Sequence, residues 1–168
     1  GASSNFVGGA LEGEGNLISG NDFGVWVHGL ENTTSQNNEI IGNYIGTNIS
    51  GTAILSNTWG IVIEDGSPNN RIVDNFISGN SARGIEIRGL GTDNNEILGN
   101  YIGANVDGAT ELPNAVGVMI SFGAKNNVVG GTAVTDRNLI SGNAGPGVQI
   151  QNNGSDGNKI LGNYIGTT

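Results

Sequence analysis

The sequence predicts an all-β solenoid, a parallel β-helix of about six coils with three short strands in each. Three observations predict it. The stretch from Asn94 to Ala104, NNEILGNYIGA, recurs almost unchanged as NNEIIGNYIGT from Asn37 to Thr47 and as GNKILGNYIGT from Gly157 to Thr167. Looser copies fill the gaps, at Asn69 to Asn80, at Asn126 to Gly131 continuing at Asn138 to Asn143, and at Ser4 to Gly9 continuing at Asn16 to Asn21. The copies follow one another at roughly 25 to 33 residues, the period of a solenoid. Between the Gly and Asn punctuation the apolar residues alternate over strand lengths, with no helical period anywhere.

One strand of each unit opens on glycine: Gly24-Val25-Trp26-Val27, Gly60-Ile61-Val62-Ile63, Gly84-Ile85-Glu86-Ile87, Gly117-Val118-Met119-Ile120 and Gly147-Val148-Gln149-Ile150. Period-two alternation puts positions 25 and 27 and their counterparts inside, and Trp26, Val62, Glu86, Met119 and Gln149 outside. A second strand sends Val7, Ile40, Ile72, Ile97, Val129 and Ile160 inward. A third sends in Ile18, Ile45, Ile77, Ile102, Ile140 and Ile165. A single coil cannot bury that face, whereas coils stacked ~4.8 Å apart set each Ile on the next and close the backbone hydrogen bonds.

Asparagine is a poor strand former, so its recurrence needs its own cause. Asn16, Asn43, Asn75, Asn100, Asn138 and Asn163 all stand two residues before the third-strand Ile, at a corner, where stacked amides can bond as a ladder. Asn5, Asn38, Asn70, Asn95, Asn127 and Asn158 open the second strand in the same way. Coils ending in ISGN turn quickly into the next strand. Those ending in IGT or IGA run through a long loop, residues 47–58 and 104–115, and all long loops are expected to leave one corner.

Composition bounds the rest. Gly at 31 residues against 3 Pro, with the glycines at fixed places in each repeat, argues for order. The repeat is continuous over residues 1–168, which predicts one domain. A net charge of −9 argues against a phosphate-binding footprint, and so against nucleic acid. With no cysteine there is neither a disulfide nor a thiolate metal site. No apolar run reaches the ~18 residues that span a bilayer. Neither terminus reads as a cap. The chain therefore reads as a segment of a longer array or as a copy that stacks end to end through open solenoid ends, the route to a filament.

The NxIxGNxI pattern resembles the right-handed parallel β-helix repeat of the pectate-lyase-like superfamily of secreted and surface bacterial proteins. That resemblance implies a right-handed coil and an extracellular or cell-surface location. Its function signal is broad, since lyases, hydrolases, epimerases, tailspikes and adhesins share the fold. The sequence lacks the paired aspartates, the GHG and RxK patterns of pectin hydrolases and the acidic calcium cluster of pectate lyases.

Candidate sites follow from the strand faces. Trp26, His28, Glu64, Glu86 and Arg88 share one outer face, where carboxylates and bases could flank a sugar and Trp26 could stack on it. Glu64 and Arg88 are equally opposite charges on neighbouring strands, as are Glu39, Arg71 and Glu96 on the second sheet. A column of Leu17, Tyr44, Phe76, Tyr101, Leu139 and Tyr164 offers an aromatic stripe for a glycan or a neighbouring copy, or rings that simply stack under the loops. Asp93, Asp107 and Asp156 lie in turns, but no calcium motif accompanies them, so neither a metal nor another cofactor is expected. Asn32, Asn48 and Asn153 begin glycosylation sequons in loops. The leading expectation is a non-enzymatic extracellular structural module; a carbohydrate-active or glycan-binding β-helix acting on acidic polysaccharide is the competing one.

Overall fold

A computed structural model describes residues 1–30 and 33–167. The first coil carries β1 (Phe6–Gly8), β2 (Leu17–Ile18) and β3 (Phe23–His28). The second carries β4 (Glu39–Ile41), β5 (Tyr44–Ile45) and β6 (Trp59–Glu64), and the third β7 (Arg71–Val73), β8 (Phe76–Ile77) and β9 (Arg83–Arg88). The fourth carries β10 (Glu96–Leu98), β11 (Tyr101–Ile102) and β12 (Val116–Ser121). The fifth carries β13 (Val128–Gly130), a 3-10 turn at Val134–Asp136, β14 (Leu139–Ile140) and β15 (Val148–Ile150); β16 (Lys159–Leu161) and β17 (Tyr164–Ile165) follow.

Strands of like position stack into three parallel sheets, two of six strands and one of five. The chain is therefore an all-β parallel β-helix. The second-strand sheet aligns Val7, Ile40, Ile72, Ile97, Val129 and Ile160. The third-strand sheet aligns Ile18 through Ile165. From Ile40 to Ile140 these inward residues are sealed from solvent, and with Ile61, Ile63, Ile85, Ile87, Val118 and Ile120 they make one continuous core. Each contributes ~1.5–3 kcal/mol of transfer free energy, which makes the columns the dominant stabilising element.

Both predicted asparagine ladders are present. In the column Asn16, Asn43, Asn75, Asn100, Asn138 and Asn163, each residue up to Asn138 passes a side-chain amide hydrogen to the Oδ1 of the next, over 2.8–3.0 Å. The column from Asn5 to Asn158 is bonded in the same direction over 2.7–3.1 Å. A third ladder, Asn21, Asn57, Asn80, Asn114 and Asn143, stands at the remaining corner. Its unequal sequence spacing hid it, because Asn57 and Asn114 come at the end of long loops.

The local chemistry of a corner is legible in one rule. Where the corner is tight, the residue just before the ladder asparagine is left-handed: Asn37, Asn69, Asn94 and Asn126 with φ of 54 to 58° before one ladder, and Gly42, Asp74, Gly99 and Gly162 with φ of 53 to 69° before another. Gly and Asn tolerate that region, which accounts for the repeated NN and GN pairs. In the first and fifth coils, Asn16 and Asn138 follow residues without a left-handed φ, Arg137 having φ −70°. A loop makes the turn instead, over residues 9–16 and 131–138. Long loops therefore leave from two corners, not from one as the sequence suggested.

A second correction concerns the glycine-opened strands. Val62, Glu86 and Met119, expected outside, are only 0%, 2% and 3% exposed. They do face outward, with Arg83 and Arg88 against Glu86 and Arg83 against Met119. The inward turn of the glycine is the cause: a Cβ on Gly24 would lie 3.2 Å from Ile45 Cγ2 in the core, so Gly24 and Val25 both face inward and the alternation slips. Phe23, Trp59 and Arg83, in register one residue before each glycine, are thereby thrown onto the outer face.

Candidate functional site

The five-stranded sheet carries the residues singled out as a possible site. Its register sets His28 beside Glu64, Glu64 beside Arg88, and Arg88 beside Ser121, so the predicted row exists. Trp26, Val62, Glu86 and Met119 form the next row. Phe23, Trp59 and Arg83 form a third, which strict alternation would have placed inside. Phe23 stacks between Trp26 and Trp59 at centroid distances of 5.0 and 4.9 Å, and His28 tilts against Trp26 at 5.1 Å.

The charges interlock across this face. Glu64, its side chain 7% exposed, accepts the Trp26 indole N–H at 2.6 Å through Oε1 and the Arg88 Nε–H through Oε2. Glu86 lies 3.7 Å from Arg88 through Oε1 and 3.7 Å from Arg83 through Oε2, while Arg83 Nε–H also points at Met119 Sδ over 2.8 Å. Burial by itself lowers the Arg88 pKa, but the hydrogen bond it donates to Glu64 and the charges of Glu86, Glu64 and Asp65 together outweigh it and raise the pKa above the ordinary arginine value. Arg88 is thus locked as a cation.

This arrangement decides what the row can do. A general acid or base must reach a substrate proton, and each Glu64 oxygen already accepts one protein donor, from Trp26 and from Arg88. Glu86 is covered more completely still. The two carboxylates and two guanidiniums neutralise one another in a cover over the outer face of the sheet. Glu39, Arg71 and Glu96 make a looser version on the second sheet, at 3.6 and 3.2 Å. His28 Nδ1, like Glu86 Oε2 on the same face, is shielded from solvent and has no hydrogen-bond partner, although it lies 3.3 Å from Glu64 Oε1 and 3.9 Å from Asp65 Oδ2. Donor atoms of His28, Glu64 and Asp65 all lie within 4.8 Å of one another.

The aromatic column forms as a stack. Tyr44 and Phe76 lie 4.9 Å apart and Phe76 and Tyr101 5.1 Å, with the long loops beside them: Gly51 rests against Tyr44 and Gly108 against Tyr101 and Leu139. Tyr164 receives Arg137, which donates to its hydroxyl at 3.0 Å. A groove of about 490 Å³ runs over Tyr44 and Phe76 between the loop at residues 9–15 and Ile49.

Of the sequons, Asn153 is exposed, and Asn32 lies outside the described residues. Asn48 has a structural duty: its Oδ1 accepts the backbone N–H groups of Thr52 and Ala53, as Asn105 does for Ala109 and Thr110 in the matching loop. Among the turn aspartates, Asp93 accepts the Lys125 N–H at 2.8 Å. Among the described residues no helix is long and apolar enough to cross a membrane. Comparison with models of protein families, with curated proteins and with solved structures yields no match.

Proposed function

We propose that this chain is a structural β-solenoid module of the cell exterior, lengthened by adding coil upon coil. The supporting observation is the direction of the ladders. In all three, each rung runs from the side-chain amide of the more N-terminal asparagine to the Oδ1 of its C-terminal neighbour. In most rungs the donor's own backbone N–H meets the same Oδ1, as Asn43 N does at Asn75 over 2.9 Å, so the oxygen has to face that way. The amide-to-amide rungs therefore run in one direction along the stack. A further coil, from the same chain or from a second copy, fits only head to tail, and such a contact propagates without closing.

The test pairs sedimentation with negative-stain electron microscopy of the purified chain. Concentration-dependent growth into rods is the expected result. A discrete particle at every concentration sinks self-assembly. A longer natural chain whose next coils match this register would leave the module reading and remove the filament.

The groove over Tyr44 and Phe76 supports a second reading, a glycan-binding solenoid. Aromatic floors hold sugar faces, and the interlocked carboxylates make this reading one of binding without turnover. A panel of polysaccharides tested against Tyr44→Ala and Phe76→Ala distinguishes it: binding lost in both variants while Glu64→Gln still binds would establish the groove.

A further inference from the structure

The geometry points to a divalent transition-metal site at His28 Nδ1, Glu64 Oε1 and Asp65 Oδ2, where β3 and β6 leave their sheet. Three features build it. The imidazole nitrogen is out of contact with water and lacks a hydrogen-bond partner, yet it faces two carboxylates at 3.3 and 3.9 Å. Other buried side-chain atoms of the chain also lack a partner, but this nitrogen is a metal-ligand type and stands among carboxylate oxygens. Ligands held ~2.0–2.2 Å from one ion stand roughly 3.0–3.5 Å from each other, so the His28–Glu64 separation of 3.3 Å already fits, and Asp65, within 4.8 Å of both, has to close on them.

The second feature is Asp65 itself. It is left-handed, φ 49°, at a corner where the equivalent position is Gly89 in the next coil. Its carboxylate fills the space above Gly89, where a Cβ would come within 2.5 Å of Oδ1. The glycine thus makes room for an acid aimed back toward His28. Asp65 is the only carboxylate to follow the His28–Glu64–Arg88–Ser121 row directly.

The third feature is the hold on Glu64. Arg88 takes Oε2, and the Trp26 indole takes one lone pair of Oε1, which leaves the other lone pair of Oε1 toward His28. A charge partner and a hydrogen bond to the ligand's other positions fix its orientation in the manner of metal-site support. One imidazole nitrogen with two carboxylate oxygens suits zinc and its neighbours better than calcium, which takes six to eight oxygens. The open side faces a groove of about 630 Å³ bordered by Leu30, Leu90 and Phe122, so a bound ion would keep a position for an outside ligand.

His28 is the only histidine in the chain, which makes the test direct. Zinc chloride alone is titrated into the whole chain while the imidazole nitrogens are followed by two-dimensional NMR. The expected result is saturation at one equivalent with the Nδ1 resonance displaced, and a loss of affinity of at least about tenfold in Asp65→Asn, whose side chain keeps the left-handed turn. No displacement at millimolar zinc overturns the site. Displacement at Nε2, or binding unchanged in Asp65→Asn, also overturns it and identifies an adventitious surface imidazole only.

Discussion

Asn75 shows what one ladder residue carries. Its Nδ2 donates to Ile40 O, Val73 O and Asn100 Oδ1 at 2.9–3.0 Å, and its Oδ1 accepts both the side-chain and the backbone N–H of Asn43. Asn75→Ala strands these groups in a site with no access to water, and a loss of about 2–3 kcal/mol is expected in urea denaturation. Asp74, next to it, sits in the left-handed corner that Gly42, Gly99 and Gly162 fill elsewhere. Partial burial raises its carboxyl pKa above 3.8, so the folded chain holds that proton more tightly than the unfolded one. Its contribution is full below the unfolded pKa and is lost as pH rises through the folded value. Asp74→Asn should therefore gain stability relative to the parent as pH is raised from below 3.8 toward neutrality, read as thermal midpoint against pH. At this scale the sequence was legible where the spacing was constant: two ladders could be read from Asn two residues before an Ile. The third could not, since the loops before Asn57 and Asn114 break the spacing that only the fold restores.

At the scale of the strand, alternation predicted which residues build the core but not which are buried. Val62, Glu86 and Met119 face outward and are still sealed: Arg83 and Arg88 lie against Glu86 from its own strand, and Arg83 reaches across to Met119 on the next. Side-chain reach between coils is a tertiary property that period-two reasoning does not contain. Glu64→Leu leaves Arg88 facing a lost partner and should cost about 3 kcal/mol, whereas adding Arg88→Met should recover much of it, a coupling measurable by a double-mutant cycle. The column of glycines that opens these strands is equally specific. A Cβ on Gly84 would come 2.7 Å from Gly117 O and 3.0 Å from Asn114 Nδ2. Gly84→Ala should push two coils apart at a cost of about 1–3 kcal/mol, seen as a lower denaturation midpoint with the slope kept.

The whole molecule is quasi-one-dimensional, each coil touching only its neighbours through three sheets and three ladders. Protection against amide hydrogen exchange should rise from the outer coils to the strands of the third and fourth, and uniform protection along the axis would contradict nearest-neighbour stability. The common direction of the ladders has one more consequence. A primary amide is an electric dipole much like a peptide group, and dipoles aligned head to tail add, as they do along a helix. Three asparagine columns running the same way give the rod a standing polarity, positive toward its C-terminal coils. Two rods lying side by side then lower their energy by pointing in opposite directions, whereas two rods on one axis lower it by pointing the same way. The amide columns thus favour growth along the axis and oppose bundles in which every rod has the same orientation.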